Sequence, residues 1–183
     1  MNINRQNGLL SHAEQLPSPN FDERPNAYDI SGIVIHNISL PPQQYGGSWI
    51  ADLFLNRLDR NAHPYFAEIA DLKVSSHLLI RRDGHIQQFV PFHQRAWHAG
   101  QSSWDGRERC NDFTVGIEME GDDFSPFTEA QYQQLSQVIL ALLETYPHLS
   151  VERITGHEHI APGRKTDPGP HFDWLYLQAL LQA

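Results

Sequence analysis

SHLLIRRDGHIQQFVP, residues 76–91, carries two apolar runs on either side of Asp83-Gly84. Asp-Gly favours the tight turn whose twist matches a pair of antiparallel strands, so the stretch reads as a β-hairpin. Upstream, the apolar run Gly32-Ile33-Val34-Ile35 reads as a buried strand closed by His36, with loop from Asn37 onward. Downstream, TVGIEMEG (114–121) alternates as a strand does, with Val115, Ile117 and Met119 on one face and Gly116, Glu118 and Glu120 on the other. Helical patterns interleave with these strands. A hairpin within such an alternation makes the sheet mixed, and the expected class is α/β or α+β, one mixed sheet covered by helices.

The clearest helix begins at Thr128, where TEAQYQQLSQVILALLETYP opens with a Thr-x-x-Gln capping box and stops at Pro147. Tyr132, Leu135, Val138, Ile139, Leu142 and Tyr146 form its buried stripe. A shorter helix, with Ser48 as its N-cap, carries Ile50, Leu53, Phe54 and Leu58 on one face. His63-Pro64-Tyr65-Phe66 then breaks the period and leaves Tyr65 in a loop that can reach a cleft. AWHAGQSSWDGRERCND (96–112) has the Gly, Ser and aromatic content of an ordered loop, and Val151 to Gly156 reads as a short strand. At 183 residues and 40% hydrophobic, the chain suits one domain. Its core is expected over about 30–168, with residues 1–29 wrapping the surface and a terminal helix over 172–182.

The formal charge of -9 and a pI near 5.6 argue against a general nucleic-acid or anionic-membrane binder, because both partners want a positive surface. A single cysteine, Cys110, makes no intrachain disulfide, and with no base beside it in RERCND it is a poor nucleophile. The opening MNINRQNGLLSHAEQ lacks a cationic lead followed by an apolar run, and the apolar run Val138–Leu143 is far short of the ~20 residues a bilayer requires. A cytoplasmic protein is expected.

The richest chemistry sits in TGHEHIAPGRKTDPGP, residues 155–170. Its glycines and prolines favour a rigid loop that projects His157 and, ten residues later, Asp167, with Lys165 between them as a cation. Two ligands do not hold a catalytic zinc. His36, at the end of a stiff strand, supplies a third, and three protein ligands leave the fourth tetrahedral position open. With eleven histidines in the chain, spacing alone leaves the trio a candidate among other readings. Glu118 and Glu120 share a strand face with Gly116, where they could line a pocket or face water.

Taken together, the motifs LPSPNFDERP, VIHNISLPP, AHPYFAEIADLKVSSHLLIRRDG, RAWHAGQSSWDGRERCND, GIEMEG and TGHEHIAPGRKTDPGP resemble the zinc amidase family that includes phage lysozyme-type amidases and the peptidoglycan recognition proteins. They cover nearly the whole chain, from about Leu16 to Trp174. Within the family the likeness is greatest to the cytoplasmic branch that recycles 1,6-anhydro-muropeptides. The resemblance implies a mixed sheet flanked by helices, one zinc ion, and hydrolysis of the amide between a muramoyl lactyl group and L-alanine. By motif it puts His36, His157 and Asp167 on the metal ligands, Glu118 on the proton acceptor and Lys165 on the group that stabilises the transition state. Asn37, Lys73, Ala96, Trp97 and Arg109 fall where substrate contacts are implied, joined by Tyr65 from its loop. Lys73 stands where the family pattern has arginine; lysine keeps the charge but not the two-pronged grip on a carboxylate.

His77, His98 and His159 are read as structural or as partners of the ligands. The expected partner is a small-molecule muropeptide, with no nucleic acid, membrane or obligate protein partner. The rival readings are a non-catalytic muropeptide-binding module, an amidase of intact peptidoglycan, and a purely structural zinc.

Overall fold

The computed structural model describes residues 1–182. The N-terminal segment contributes four short strands, β1 (Ile3–Asn4), β2 (Leu9–Leu10), β3 (Glu14–Gln15) and β4 (Phe21–Glu23). The long strand β5 (Gly32–Ile38) follows, then α1 (Trp49–Phe54) and α2 (Pro64–Ile69). The hairpin strands are β6 (Leu78–Ile80) and β7 (Ile86–Gln88), and β8 (Gln94–Ala96), β9 (Ser103–Trp104) and β10 (Arg107–Glu108) come after them. The second long strand, β11 (Thr114–Glu120), leads to α3 (Glu129–Thr145), β12 (Ile154–Gly156), the one-turn α4 (His157–Ile160) and α5 (Trp174–Gln182).

Six strands form the main sheet in the order β12-β5-β11-β6-β7-β3. The first four run parallel and β7 turns back against β6, so the sheet is mixed, as the hairpin implied. Strands covered on both faces should be apolar on both faces, and β11 is buried at all seven positions. Ile33, Ile35, Val115, Ile117 and Met119 pack beneath Leu135, Val138, Ile139 and Leu142 of α3. Val34 faces the other way, into Ala99, Cys110, Phe113 and Ile160, while Leu79 meets α1 and α2 through Ile50, Leu53, Phe54 and Phe66. The molecule is therefore three layers, and the face away from α3 carries the loops.

Local chemistry explains both the matches and the departures. α3 has its capping box, with Thr128 accepting from Gln131 N and the Gln131 side chain accepting from Thr128 N. The hairpin turn is wider than a two-residue Asp-Gly turn. Arg81 N bonds His85 O, Gly84 N bonds Arg81 O, and only Gly84, at φ 86°, is left-handed; a type I′ turn would need positive φ at Asp83 as well. β5 runs on through Asn37 to Ile38 instead of ending at His36, because its pairing with β11 continues to Ile38–Glu120. Tyr65 lies on α2 rather than in a loop: Pro64 occupies the first turn, where its missing N–H costs nothing, and His63 Nδ1 accepts from Tyr65 N at 3.2 Å. Ser48 precedes α1 but makes no capping bond; its hydroxyl binds Asp52, and Leu58 is buried beyond the helix end. Residues 96–112 include β9 and β10, and Val151–Arg153 is a 3-10 turn, which leaves only Ile154–Gly156 as strand.

The N-terminal segment runs over the outside and is also pinned through the interior. Asn20 Nδ2 bonds Phe54 O and Val74 O. The Arg24 guanidinium is 6% exposed and donates to the carbonyls of Phe92, Asn111, Asp112 and Thr114. Burial holds its pKa down at about 10, still far above neutrality, so the charge is kept and shared among carbonyl dipoles. Replacing it strands several buried acceptors at once. Arg24→Met is expected to destabilise the fold by on the order of 3 kcal/mol, a fall in Tm of roughly 6–12 °C in a thermal melt.

Candidate metal and catalytic site

The site is assembled by register. β5 lies between β12 and β11, pairing Ile35 with Gly156 and His36 with Glu118. Side chains paired on adjacent parallel strands share a face and stand about 4.8 Å apart, so His36 and Glu118 project side by side. His157 follows β12 immediately, on the same edge of the sheet. This is the carboxyl end of the parallel strands, where ligands of open α/β sheets bind.

Asp167 reaches His157 because the intervening loop is closed by its own backbone. Glu158 N, at the start of α4, donates to Asp167 O at 2.9 Å, while Arg164 N and Lys165 N both return to Ala161 O at 3.1 Å. Beyond it, Gly169 adopts φ 85° with its α-carbon hydrogen against Asp123, where a Cβ would lie 2.5 Å from the carboxylate. Asn37 Nδ2 ties both sides together by donating to Asp123 Oδ1 (2.7 Å) and Pro168 O (3.0 Å).

His36 Nδ1, His157 Nδ1 and Asp167 Oδ2 converge with 3.0 Å between each pair. A carbonyl can only accept, so the 3.0 Å contact of His157 Nε2 with Ala99 O puts the ring proton on Nε2 and a lone pair on Nδ1. Burial holds the His36 pKa at about 4, so this ring is neutral near pH 7. Burial also pushes the Asp167 carboxyl up, but its close contacts with the His157 and His36 rings outweigh that and leave it below the usual carboxylate range. An anionic oxygen and an imidazole lone pair 3.0 Å apart repel unless a cation lies between them. Metal–nitrogen distances of about 2.0–2.1 Å in a tetrahedral site put neighbouring donors roughly 3.3 Å apart, close to what is seen, so the donor set fits a divalent ion.

The two strand carboxylates part company here. Glu120 is 2% exposed and satisfied, accepting from Gly46 N at 2.6 Å and Arg82 N at 3.0 Å. Glu118 is also buried rather than facing water, yet its Oε2 has no partner. Burial, with Asp167 adding to it, lifts the Glu118 carboxyl well above its ordinary range, and Lys165 opposes the rise. An unpaired carboxyl whose pKa is raised by burial is suited to proton transfer.

Above these groups opens a cleft of about 370 Å³. Leu53, Phe54, Ile69 and Val74 form an apolar wall, and His36, Glu118, His157, Lys165 and Asp167 form the polar side. Asn37, Tyr65 and Trp97 also line it. Asn37 has committed both amide protons within the protein, so its Oδ1 is what it can offer a ligand. Three expected contacts lie off the cleft lining. Ala96 is fully buried against α1 and α2, Lys73 is an exposed surface residue, and Arg109, at φ 58° and 3.2 Å from Asp112, borders a neighbouring depression with Arg164. Cys110 is buried with its thiol pKa raised by desolvation, consistent with a packing role.

The sequence did not single out Asn111, whose Oδ1 accepts from His98 N (3.1 Å) and Ala99 N (2.8 Å) and so fixes the carbonyl that holds His157. Nothing in RERCND marks it. Nor did sequence separate the apolar wall of the cleft from ordinary core. Gly116 was a visible signal, and what approaches it is His98: a Cβ there would lie 2.4 Å from the ring.

The fold is shared with known proteins. The family model for N-acetylmuramoyl-L-alanine amidase matches residues 26–170. The 1,6-anhydro-N-acetylmuramyl-L-alanine amidase AmpD of Citrobacter freundii is 58% identical over 174 residues, covering 95% of this chain and 92% of the relative. A crystal structure of a selenomethionine AmpD derivative superimposes with a TM-score of 0.95 at 56% identity, over 99% of both chains. The amidase AmiD of Escherichia coli, solved as a complex with the substrate anhydro-N-acetylmuramic acid-L-Ala-D-γ-Glu-L-Lys, gives a TM-score of 0.62 at 32% identity, over 83% of this chain and 57% of that one. The three-layer mixed-sheet architecture is that of an amidase. The chain belongs to the N-acetylmuramoyl-L-alanine amidase family.

Among the described residues no helix is long and apolar enough to cross a membrane. Removing the one anionic donor from the cluster should abolish stable metal retention. Asp167→Ala is expected to emerge from gel filtration with less than about a tenth of the wild-type metal content, as read by elemental analysis.

Proposed function

We propose that this amidase holds one zinc ion through His36, His157 and Asp167 and hydrolyses the bond between the lactyl carbonyl of 1,6-anhydro-N-acetylmuramic acid and L-alanine in soluble muropeptides. The observation that carries the reading is Glu118, a buried, unpartnered carboxyl in register with His36 at the floor of the cleft. The near-full-length likeness to enzymes named for the 1,6-anhydro substrate supports that choice over intact peptidoglycan. Zinc in such a set polarises a carbonyl and lowers the pKa of water at its open position toward 7.

The protein's own groups do the rest. The Glu118 carboxylate takes a proton from the attacking water as the water oxygen bonds to the carbonyl carbon. When the carbon–nitrogen bond breaks, the same carboxyl returns a proton to the departing amine of L-alanine. Lys165 borders the cleft on the polar side and donates to the carbonyl oxygen as negative charge gathers there. Asn37, Tyr65 and Trp97 orient the sugar and the first peptide units. Lys73 and Arg109, outside the cleft lining, meet carboxylates of the longer peptide stem. With soluble fragments of recycled wall as substrate, this reading assigns the activity to the cytoplasm and to a small-molecule partner.

Glu118→Gln preserves volume and removes the proton acceptor. It is expected to keep its zinc while turnover of anhydromuropeptide falls by about 10²–10⁴-fold. Lys165→Met is expected to lower kcat about 10²–10³-fold with a smaller change in KM. Release of free peptide should be far faster from soluble anhydromuropeptide than from sacculi. Binding of the fragment without release by zinc-loaded protein would instead identify a recognition module.

A further inference from the structure

His36 meets the cluster through Nδ1, and its other nitrogen is not left to solvent. Nε2 lies 2.9 Å from His98 Nδ1, with the two rings edge to face at 5.0 Å between centroids. The far side of His98, Nε2, lies 3.2 Å from Thr114 Oγ1, and that hydroxyl is 2.7 Å from Cys110 O. Direction follows from the far end, because a backbone carbonyl accepts only. The Thr114 hydroxyl must give its one proton to Cys110 O, so toward His98 it can only accept. His98 therefore carries its proton on Nε2, which leaves Nδ1 as an acceptor, and His36 must donate to it from Nε2. The lone pair of His36 then falls on Nδ1, facing Asp167 and His157.

We propose that Thr114 and His98 form a one-way hydrogen-bond relay that fixes the tautomer and orientation of His36 and so presents its Nδ1 to the metal. Both are positioning residues, acting through His36. The fold makes room for the relay: the His98 ring occupies the notch left by Gly116 on β11, and Asn111 holds the His98 backbone. His157 reaches the same end by a direct bond to a carbonyl, whereas His36 sits on a central strand, turns Nε2 to the His98 ring and uses two side chains instead. Removal of such outer partners typically weakens metal affinity about 10- to 100-fold.

This inference rests on the three-ligand reading, and the experiment separates the two. Zinc affinity is measured by chelator competition for wild type, His98→Phe, His98→Asn, Thr114→Val and Thr114→Ser, and nitrogen-15 imidazole spectra of the metal-free proteins report which His36 nitrogen carries the proton. Wild type should show His36 protonated on Nε2. His98→Phe, which keeps the bulk and loses the acceptor, should bind zinc about 10- to 100-fold more weakly with a mixed His36 tautomer; His98→Asn, whose side-chain oxygen can accept, should recover most of the affinity. Thr114→Val should weaken binding by up to about tenfold and Thr114→Ser should match wild type. A purely structural role would lower Tm without moving the tautomer signal. Should His98→Phe fail to fold, the Thr114 pair and the wild-type spectrum still decide. A wild-type His36 protonated on Nδ1, or unchanged zinc affinity and tautomer in the folded variants, overturns the relay. A wild type that binds no zinc while showing the Nε2 tautomer overturns the ligand reading alone.

Discussion

Parallel pairing of β5 with β11 is the constraint on which everything else depends. One register puts His36 beside Glu118, and a slip of a single residue would send one of them through the sheet to the α3 side. That register is enforced by burial. Ile33, Ile35, Val115, Ile117 and Met119 must all lie under α3, and a slip of one residue can exchange them for Val34, Gly116 and three ionisable side chains, His36, Glu118 and Glu120. A hydrophobic layer with no chemistry of its own thus sets the spacing of the reactive groups on the opposite face.

The second contribution is local. The loop from His157 to Asp167 is closed locally by the amide of Glu158 on the Asp167 carbonyl and anchored to residues 99–101 through His157 and Arg164. His36 is the long-range partner, fixed by the sheet. The centre combines one half closed within a short loop and one half delivered by the sheet, with Asn37 bridging them through Asp123 and Pro168.

Much of this was legible in the residues. The apolar run before His36, the Asp-Gly hairpin and the capping box at Thr128 each carry a local physical cause, and each survives in the fold. The ligand trio was legible as a candidate because Gly and Pro punctuation confines His157 and Asp167 to one short loop. What could not be read was anything decided by distant coverage. Alternation in TVGIEMEG says that Glu118 and Glu120 share a face, but not that residues 96–113 cover that face, nor that a backbone amide of the 45–47 loop satisfies one carboxylate and leaves the other bare. Tyr65 was misread because Pro64 breaks a helix only from its interior, and here it begins one. Lys73 and Arg109 carry charge that sequence can see, but the direction a loop turns is set by tertiary contacts.

Gly116 and His98 occupy one volume between them, shape against shape, with no room for a methyl group. The two sites are consequently not free to drift apart over evolutionary time. A bulkier residue on the strand excludes the imidazole, while a smaller one at the ring's place leaves a void between the sheet face and the loop over it, so an exchange tolerated at one position requires a matching exchange at the other. Pairwise epistasis, rather than invariance at either position singly, is the mark this packing should leave on descendants of the chain.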